Sequence, residues 1–141
     1  MGVMSFSAQQ IPSFVEFIKK HYKGGTVLDL GCGTGRYTEC FPADMYTGID
    51  GYEGNISYCK ETWPDRKWIL ADLETWKPKE KYDYLISSVT MEQLDNLPMG
   101  WAKHYIMIEP QGFKHNYQEI YKPVVDEPMG ESYEQLRMML T

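Results

Sequence analysis

The sequence predicts an α/β protein built on a doubly wound, mostly parallel sheet, and three observations predict it. Residues 26–36, TVLDLGCGTGR, pass from an apolar run, Val27, Leu28 and Leu30, into glycines on alternate positions, Gly31, Gly33 and Gly35. A strand buried on both faces takes such a run, and glycine lets the next residues turn tightly beneath a ligand with φ > 0. Two more apolar segments, Met45–Asp50 and Lys67–Ala71, each finish at an acid, Asp50 and Asp72. A helical pattern lies between them, the alternation that gives βαβ units.

Composition fits one domain over residues 1–141. The chain is 43% hydrophobic and 24% charged, which suits a globular protein with its own core. A formal net charge of −6 disfavours sequence-independent nucleic-acid binding, which needs clustered Lys and Arg; Lys77, Lys79 and Lys81 merely alternate in a predicted surface loop. Cys32, Cys40 and Cys59 are odd in number and lack metal or redox spacing, so no metal site is expected and the thiols are expected reduced. No run approaches the ~18 apolar residues of a membrane span, and no basic segment leads into an apolar N-terminal core. The expectation is a soluble, cytoplasmic protein without a membrane partner.

In chain order, residues 1–23 are expected to give an N-terminal helix. Ser13 to Glu16 reads as an S-x-x-E capping box, and Phe14, Phe17, Ile18 and Tyr22 share one face. Pro12 also permits a start nearer Ser7, and Gly24 and Gly25 end the helix. Met4 to Gln10 is either a lid over the ligand or a frayed terminus.

The glycine loop argues for a cationic nucleoside. Dinucleotide sites use G-x-G-x-x-G with pyrophosphate on the helix N-terminus. Here Arg36 stands where the third glycine belongs, and Asp29 precedes the loop. A carboxylate there is awkward beside pyrophosphate and suits an ammonium or sulfonium, which disfavours a nicotinamide-dependent oxidoreductase. Arg36 to Phe41 makes a short helix before Pro42. Asp50, 21 residues beyond Asp29, matches the acid that accepts ribose hydroxyls in βαβ sites; its alternative is a cap on the next helix, Asn55 to Trp63, with Ile56, Cys59 and Trp63 inward. Asp72, 22 residues further, is a ligand acid or the start of the turn LETW.

Tyr82 to Ser88 reads as the fourth strand, leading through Val89 into a helix start at residues 90–94, TMEQL. Asp95 to Lys103 is a broken helical connection, and His104 to Glu109 is the fifth strand with His104 at its edge. Glu109 ends that strand, either facing a ligand or starting the next loop. Tyr117 to Val125 gives one short helix or strand. Ser132 to Gln135 reads as an S-x-x-Q cap on a terminal helix with Tyr133, Leu136 and Leu140 on one face.

VLDLGCGTG, followed by GID at 48–50 and AD at 71–72, resembles the class I, Rossmann-like S-adenosylmethionine-dependent methyltransferases. The resemblance covers residues 24–110, the cofactor-binding core. It implies S-adenosylmethionine as cofactor, held by Asp29, Gly31, Cys32, Gly33 and Gly35 of the loop. Asp50, Gly51 and Tyr52 then take the ribose side, and Asp72 and Leu73 the adenine; Ser88 closes the set. It further implies methyl transfer to a small-molecule acceptor by in-line displacement. No catalytic residue is assigned, because Glu92 is followed by Gln93 where small-molecule members often carry His. The Asn-Pro-Pro-aromatic signature of DNA amino-methylating members is absent. Tyr37, Glu92, Gln93 and Glu109 are expected near the acceptor because each follows a strand end. The alternative is a catalytically degenerate S-adenosylmethionine-binding or scaffolding subunit of a larger assembly. The 31 residues of the segment 111–141 imply C-terminal strands reduced or missing, with five or six strands or an edge supplied by another subunit. Homodimerisation through that edge follows.

Overall fold

The computed structural model describes residues 10–110, 114–129 and 135–141. Seven strands form one sheet: β1 (Val27–Leu30), β2 (Tyr46–Asp50), β3 (Lys67–Leu70), β4 (Tyr82–Ser88), β5 (Ala102–Pro110), β6 (Val125–Pro128) and β7 (Leu136–Leu140). Their order is β3-β2-β1-β4-β5-β7-β6. The first five run parallel, and β7 is antiparallel to both β5 and β6. The parallel segments finish at the same edge, with Leu30 beside Ile49 on one side and Ser87 on the other. That common end brings the loops after β1, β2, β3 and β4 together, where ligands bind in open α/β sheets.

Two layers cover the sheet. Phe14, Phe17 and Ile18 of helix α1 (Pro12–His21) and Ile56 and Cys59 of helix α2 (Glu53–Thr62) pack on one face with Val27, Tyr46 and Ile86. The other face buries Leu28, Leu30, Ile49, Leu85 and Met107 under Met91, Leu94 and Tyr117, the last from helix α3 (Tyr117–Tyr121). This second cover is thin. The β3–β4 connection contains no α-helix and the β4–β5 connection only a 3₁₀ turn at Met91–Gln93. The helix start expected at residues 90–94 and the broken helix expected at 95–103 are thus one turn and a loop, with Gly100 at φ +77°.

The C-terminal segment corrects its expectation most. The strands there are short but present, and the sheet reaches seven within this chain. Leu136 and Leu140 lie in β7 instead of a terminal helix, because pairing with β5, from Ile106 opposite Leu140 to Pro110 opposite Leu136, overrides their helical spacing. Ser132 and Tyr133 of the expected cap and helix face lie outside the described residues. The unfinished edge that motivated dimerisation is therefore not present at β5; the sheet ends on β6, VDEP, whose charges and proline discourage further pairing.

At the other terminus, Ser13 is inside α1 and no capping box forms. Ile11 is the N-cap and Pro12 the first helical residue, where a missing N–H costs nothing; the Ile11 N–H instead donates to Tyr37 Oη at 3.1 Å. The chain leaves the helix at Tyr22, before Gly24 and Gly25. Of the proposed lid only Gln10 is described; its Nε2 donates to the Arg36 carbonyl at 2.7 Å.

Candidate functional site

The loop after β1 turns under the ends of β2 and β4. Gly31 and Cys32 N–H groups both donate to the Ile49 carbonyl, at 2.9 and 3.0 Å, which ties the loop to the end of β2. Gly31 has φ +68°, and a Cβ there would lie 2.4 Å from Thr90 Oγ1, so no other residue fits without displacing the turn after β4. Val89 sets that turn. It takes φ +56°, costly for a β-branched side chain, and so carries Thr90 against the glycine loop.

Asp50 ends β2 with both carboxylate oxygens oriented. Gly33 N–H donates to Oδ1 at 3.2 Å, and Tyr52 N–H and Asn55 Nδ2 donate to Oδ2 at 3.1 and 3.0 Å. After β3, Asp72 Oδ1 accepts from the Glu74 N–H at 2.9 Å. Glu74 in turn receives the Asp95 and Asn96 N–H groups at 2.8 and 3.0 Å, which joins the β3 and β4 loops.

These segments enclose a cavity of about 630 Å³. Gly31, Gly33, Asp50, Gly51, Asp72 and Leu73 line it, six of the residues expected from sequence. Gln93, expected near an acceptor, lines it too, beside Thr90 and Leu94. Arg36, Asn55 and Glu74 complete the wall and were not expected. The Arg36 guanidinium crosses beneath the loop: Nη2 donates to the Ser88 carbonyl at 3.1 Å, and Nη1 lies 2.6 Å from where a Cβ on Gly33 would sit. Arg36 Nε is buried with no partner among the described residues.

Other expected residues stand elsewhere. Asp29 is 2% exposed beneath the loop and accepts from Tyr46 Oη at 2.5 Å. Burial pushes its carboxyl up to about 6, against the opposing Tyr46 hydrogen bond and Arg36 charge. Cys32 and Cys59 thiols both point at the Gly33 carbonyl from the α2 side, at 3.7 and 3.4 Å, and Gly35 packs on Trp63. Ser88 is buried, and Tyr52 is exposed outside the wall.

Of the residues expected near an acceptor, Tyr37 is buried edge-on against Phe14. Glu92 turns toward α3, accepting from Lys114 N–H at 2.5 Å and Tyr117 Oη at 2.7 Å. Glu109 is wholly buried, taking the Ser87 hydroxyl and the Met91 N–H on Oε2. Burial pushes its carboxyl up to about 8, opposed by those hydrogen bonds. Tyr37 and Glu92 follow strand ends as expected, whereas Glu109 lies within β5, where alternation of side chains along the strand directs it under the Met91 turn and away from the cavity.

The sequence profile described as a methyltransferase domain matches residues 27–112. Trans-aconitate 2-methyltransferase of Escherichia fergusonii is 30% identical over 90 residues, covering 61% of this chain and 36% of that protein. The chain thus spans about a third of the length of the curated relatives it matches. Among solved structures, TehB from Haemophilus influenzae superposes with TM-score 0.70 at 18% identity, over 92% of this chain and 61% of that one. Magnesium protoporphyrin IX methyltransferase from Synechocystis PCC 6803, solved with bound S-adenosylmethionine, gives TM-score 0.68 at 15% identity over 99% and 85%. At these identities the structural likeness speaks for the fold.

Proposed function

Since the chain belongs to the methyltransferase-domain family, with the class I Rossmann-like fold of S-adenosylmethionine-dependent methyltransferases, we propose that its cavity at the strand ends binds S-adenosylmethionine and serves methyl transfer to a small-molecule acceptor. One observation carries this reading: the glycine loop, Asp50 and Asp72 converge on a single cavity of about 630 Å³, a size that suits a nucleoside-bearing ligand.

The residues present fit that ligand. Asp50 takes one donor on Oδ1 and two on Oδ2, which leaves a lone pair on Oδ1 for a ribose hydroxyl. Asp72 is engaged only through Oδ1 among the described residues, which leaves Oδ2 for the adenine amino group, with Leu73 against the ring. Arg36 is the cation in the wall, the group suited to meet the amino-acid carboxylate. Gly31 and Gly33 let backbone approach where a side chain would fill the cradle.

S-adenosylmethionine supplies a methyl group already activated by its sulfonium. What the chain must add is alignment, which can lower a barrier by roughly 7 to 11 kcal/mol. Thr90, Gln93 and Leu94 wall the side left for an acceptor; Gln93 Nε2 donates to the Val89 carbonyl at 3.2 Å, and this fixes its amide. A neutral amide there orients an acceptor and takes up no proton, so the reading favours an acceptor nucleophilic at working pH, a carboxylate among them. Trans-aconitate, named by the curated relatives, is the first acceptor to try. The test is transfer of labelled methyl from S-adenosylmethionine to trans-aconitate and to a panel of small carboxylates, phenols and amines. Product that vanishes in Asp50→Ala supports the reading; no product with any acceptor sinks the transfer half of it.

A further inference from the structure

A second cavity, of about 520 Å³, lies on the thinly covered face of the sheet. A crossover between parallel strands usually carries a helix that covers the sheet. The β3–β4 connection carries none, and residues 77–81, KPKEK, hold too many charges and a proline to supply one. Ile69 of β3, Tyr82 of β4 and Trp76 of the connection are consequently left half-buried as an apolar floor. Trp76 is braced edge-on against Trp101, with ring centroids 5.5 Å apart, so this wall is formed in advance of any occupant.

The rim has one dominant charge. Lys67, Lys77, Lys79 and Lys81 line the cavity with a single acid, Glu80, a local excess of three positive charges in a chain whose net charge is −6. None of the four makes an ion pair among the described residues, whereas Lys103 and Lys114 pair with Asp83 and Asp95. Lysines gathered on an apolar floor repel one another until an anion joins them, and their stems extend the apolar surface. The volume is that of a small-molecule site. The cavity is separate from the first: Leu73 and Glu74 wall one, and Trp76 to Lys81 of the same connection wall the other.

We propose that this groove is a second ligand site, for an organic anion with a flat apolar body. The body lies on Ile69, Trp76 and Tyr82 while its carboxylate or phosphate meets the lysines.

The probe is 2-naphthoate, compared with neutral 2-naphthamide, titrated calorimetrically into the wild type and into Lys77→Gln/Lys79→Gln/Lys81→Gln. These lysines are exposed, so the variant keeps its core. Expected are saturable binding of one naphthoate per chain, about tenfold weaker binding of the amide, and about tenfold loss in the variant. S-adenosylhomocysteine should leave the naphthoate in place. Equal binding of acid and amide, an unaffected variant, or displacement by S-adenosylhomocysteine would each overturn the proposal. So would a glutamate-rich peptide that binds where naphthoate does not, because the groove would then be a docking surface for a polypeptide.

Discussion

Replacing Glu109 with Gln removes one titration from the interior and nearly preserves its shape. The folded chain holds the Glu109 proton up to about pH 8, whereas the unfolded chain releases it near the ordinary 4.5. Throughout that window the folded state binds the extra proton, so the contribution is full below pH 4.5 and is lost as pH rises through 8. Asp29, raised to about 6, has given up most of its proton by pH 7, and His21, lowered from 6.5 chiefly by burial, acts in the opposite sense, its linkage raising stability as pH rises. Between pH 7 and pH 8 the Glu109 linkage by itself lowers wild-type stability by about 1 kcal/mol. Glu109→Gln should show no such slope. Its absolute stability is a poorer readout, because the amide brings donors to a place where Oε1 already lacks a partner, at a cost of about 1–3 kcal/mol. Urea unfolding at pH 7.0, 7.5 and 8.0 on both proteins measures the difference. A flat wild type, or a variant that keeps the slope, refutes the assignment of this proton to Glu109.

The remaining predictions concern the loop and the layer beneath it. Arg36→Gln should weaken S-adenosylhomocysteine about tenfold while leaving methylthioadenosine, which lacks the carboxylate, unchanged in calorimetry; equal losses would remove Arg36 from the carboxylate role. Gly31→Ala, whose Cβ would lie 2.4 Å from Thr90 Oγ1 at φ +68°, should cost about 1–3 kcal/mol in chemical denaturation and abolish cofactor binding. Adding Thr90→Ala should recover part of the stability, and an additive double variant would deny the clash. Tyr46→Phe leaves Asp29 without its 2.5 Å donor and should lose about 1–3 kcal/mol, more above pH 6 than below pH 4; a pH-independent loss would contradict an Asp29 carboxyl raised to about 6.

The parts of this site legible in the sequence are those set by short-range rules. Gly31 and Gly33 announce a loop with positive φ, and Asp50 and Asp72 announce strand ends, because turn chemistry and the length of an apolar run are local properties. Side-chain direction at those ends is not so local. Tyr37 and Glu92 follow strands and Glu109 closes one, but they enter the interior or turn to α3, which depends on how α1, the Met91 turn and α3 pack. Arg36 stands in the motif where a glycine is missing, and the same position puts its guanidinium against Gly33 and the Ser88 carbonyl. Asn55 carried a usable signal, standing one turn into the helix after Asp50 and within reach of its carboxylate. Strand β7 was hidden for a different reason. Its residues, LRMML, suit a helix as well as a strand, and only the long-range pairing of Ile106 with Leu140 decides.

The most direct measurement is calorimetric titration of S-adenosylmethionine, S-adenosylhomocysteine and NAD into the wild type and Asp50→Ala. Loss of a hydrogen bond to the Asp50 carboxylate is worth about 1.5–3 kcal/mol, so at least about a tenfold weakening is expected in the variant. The account predicts saturable binding of the two adenosyl ligands, none of NAD, and that loss on substitution. Adenosyl ligands that fail to bind, or that bind Asp50→Ala as well as the wild type, would contradict it.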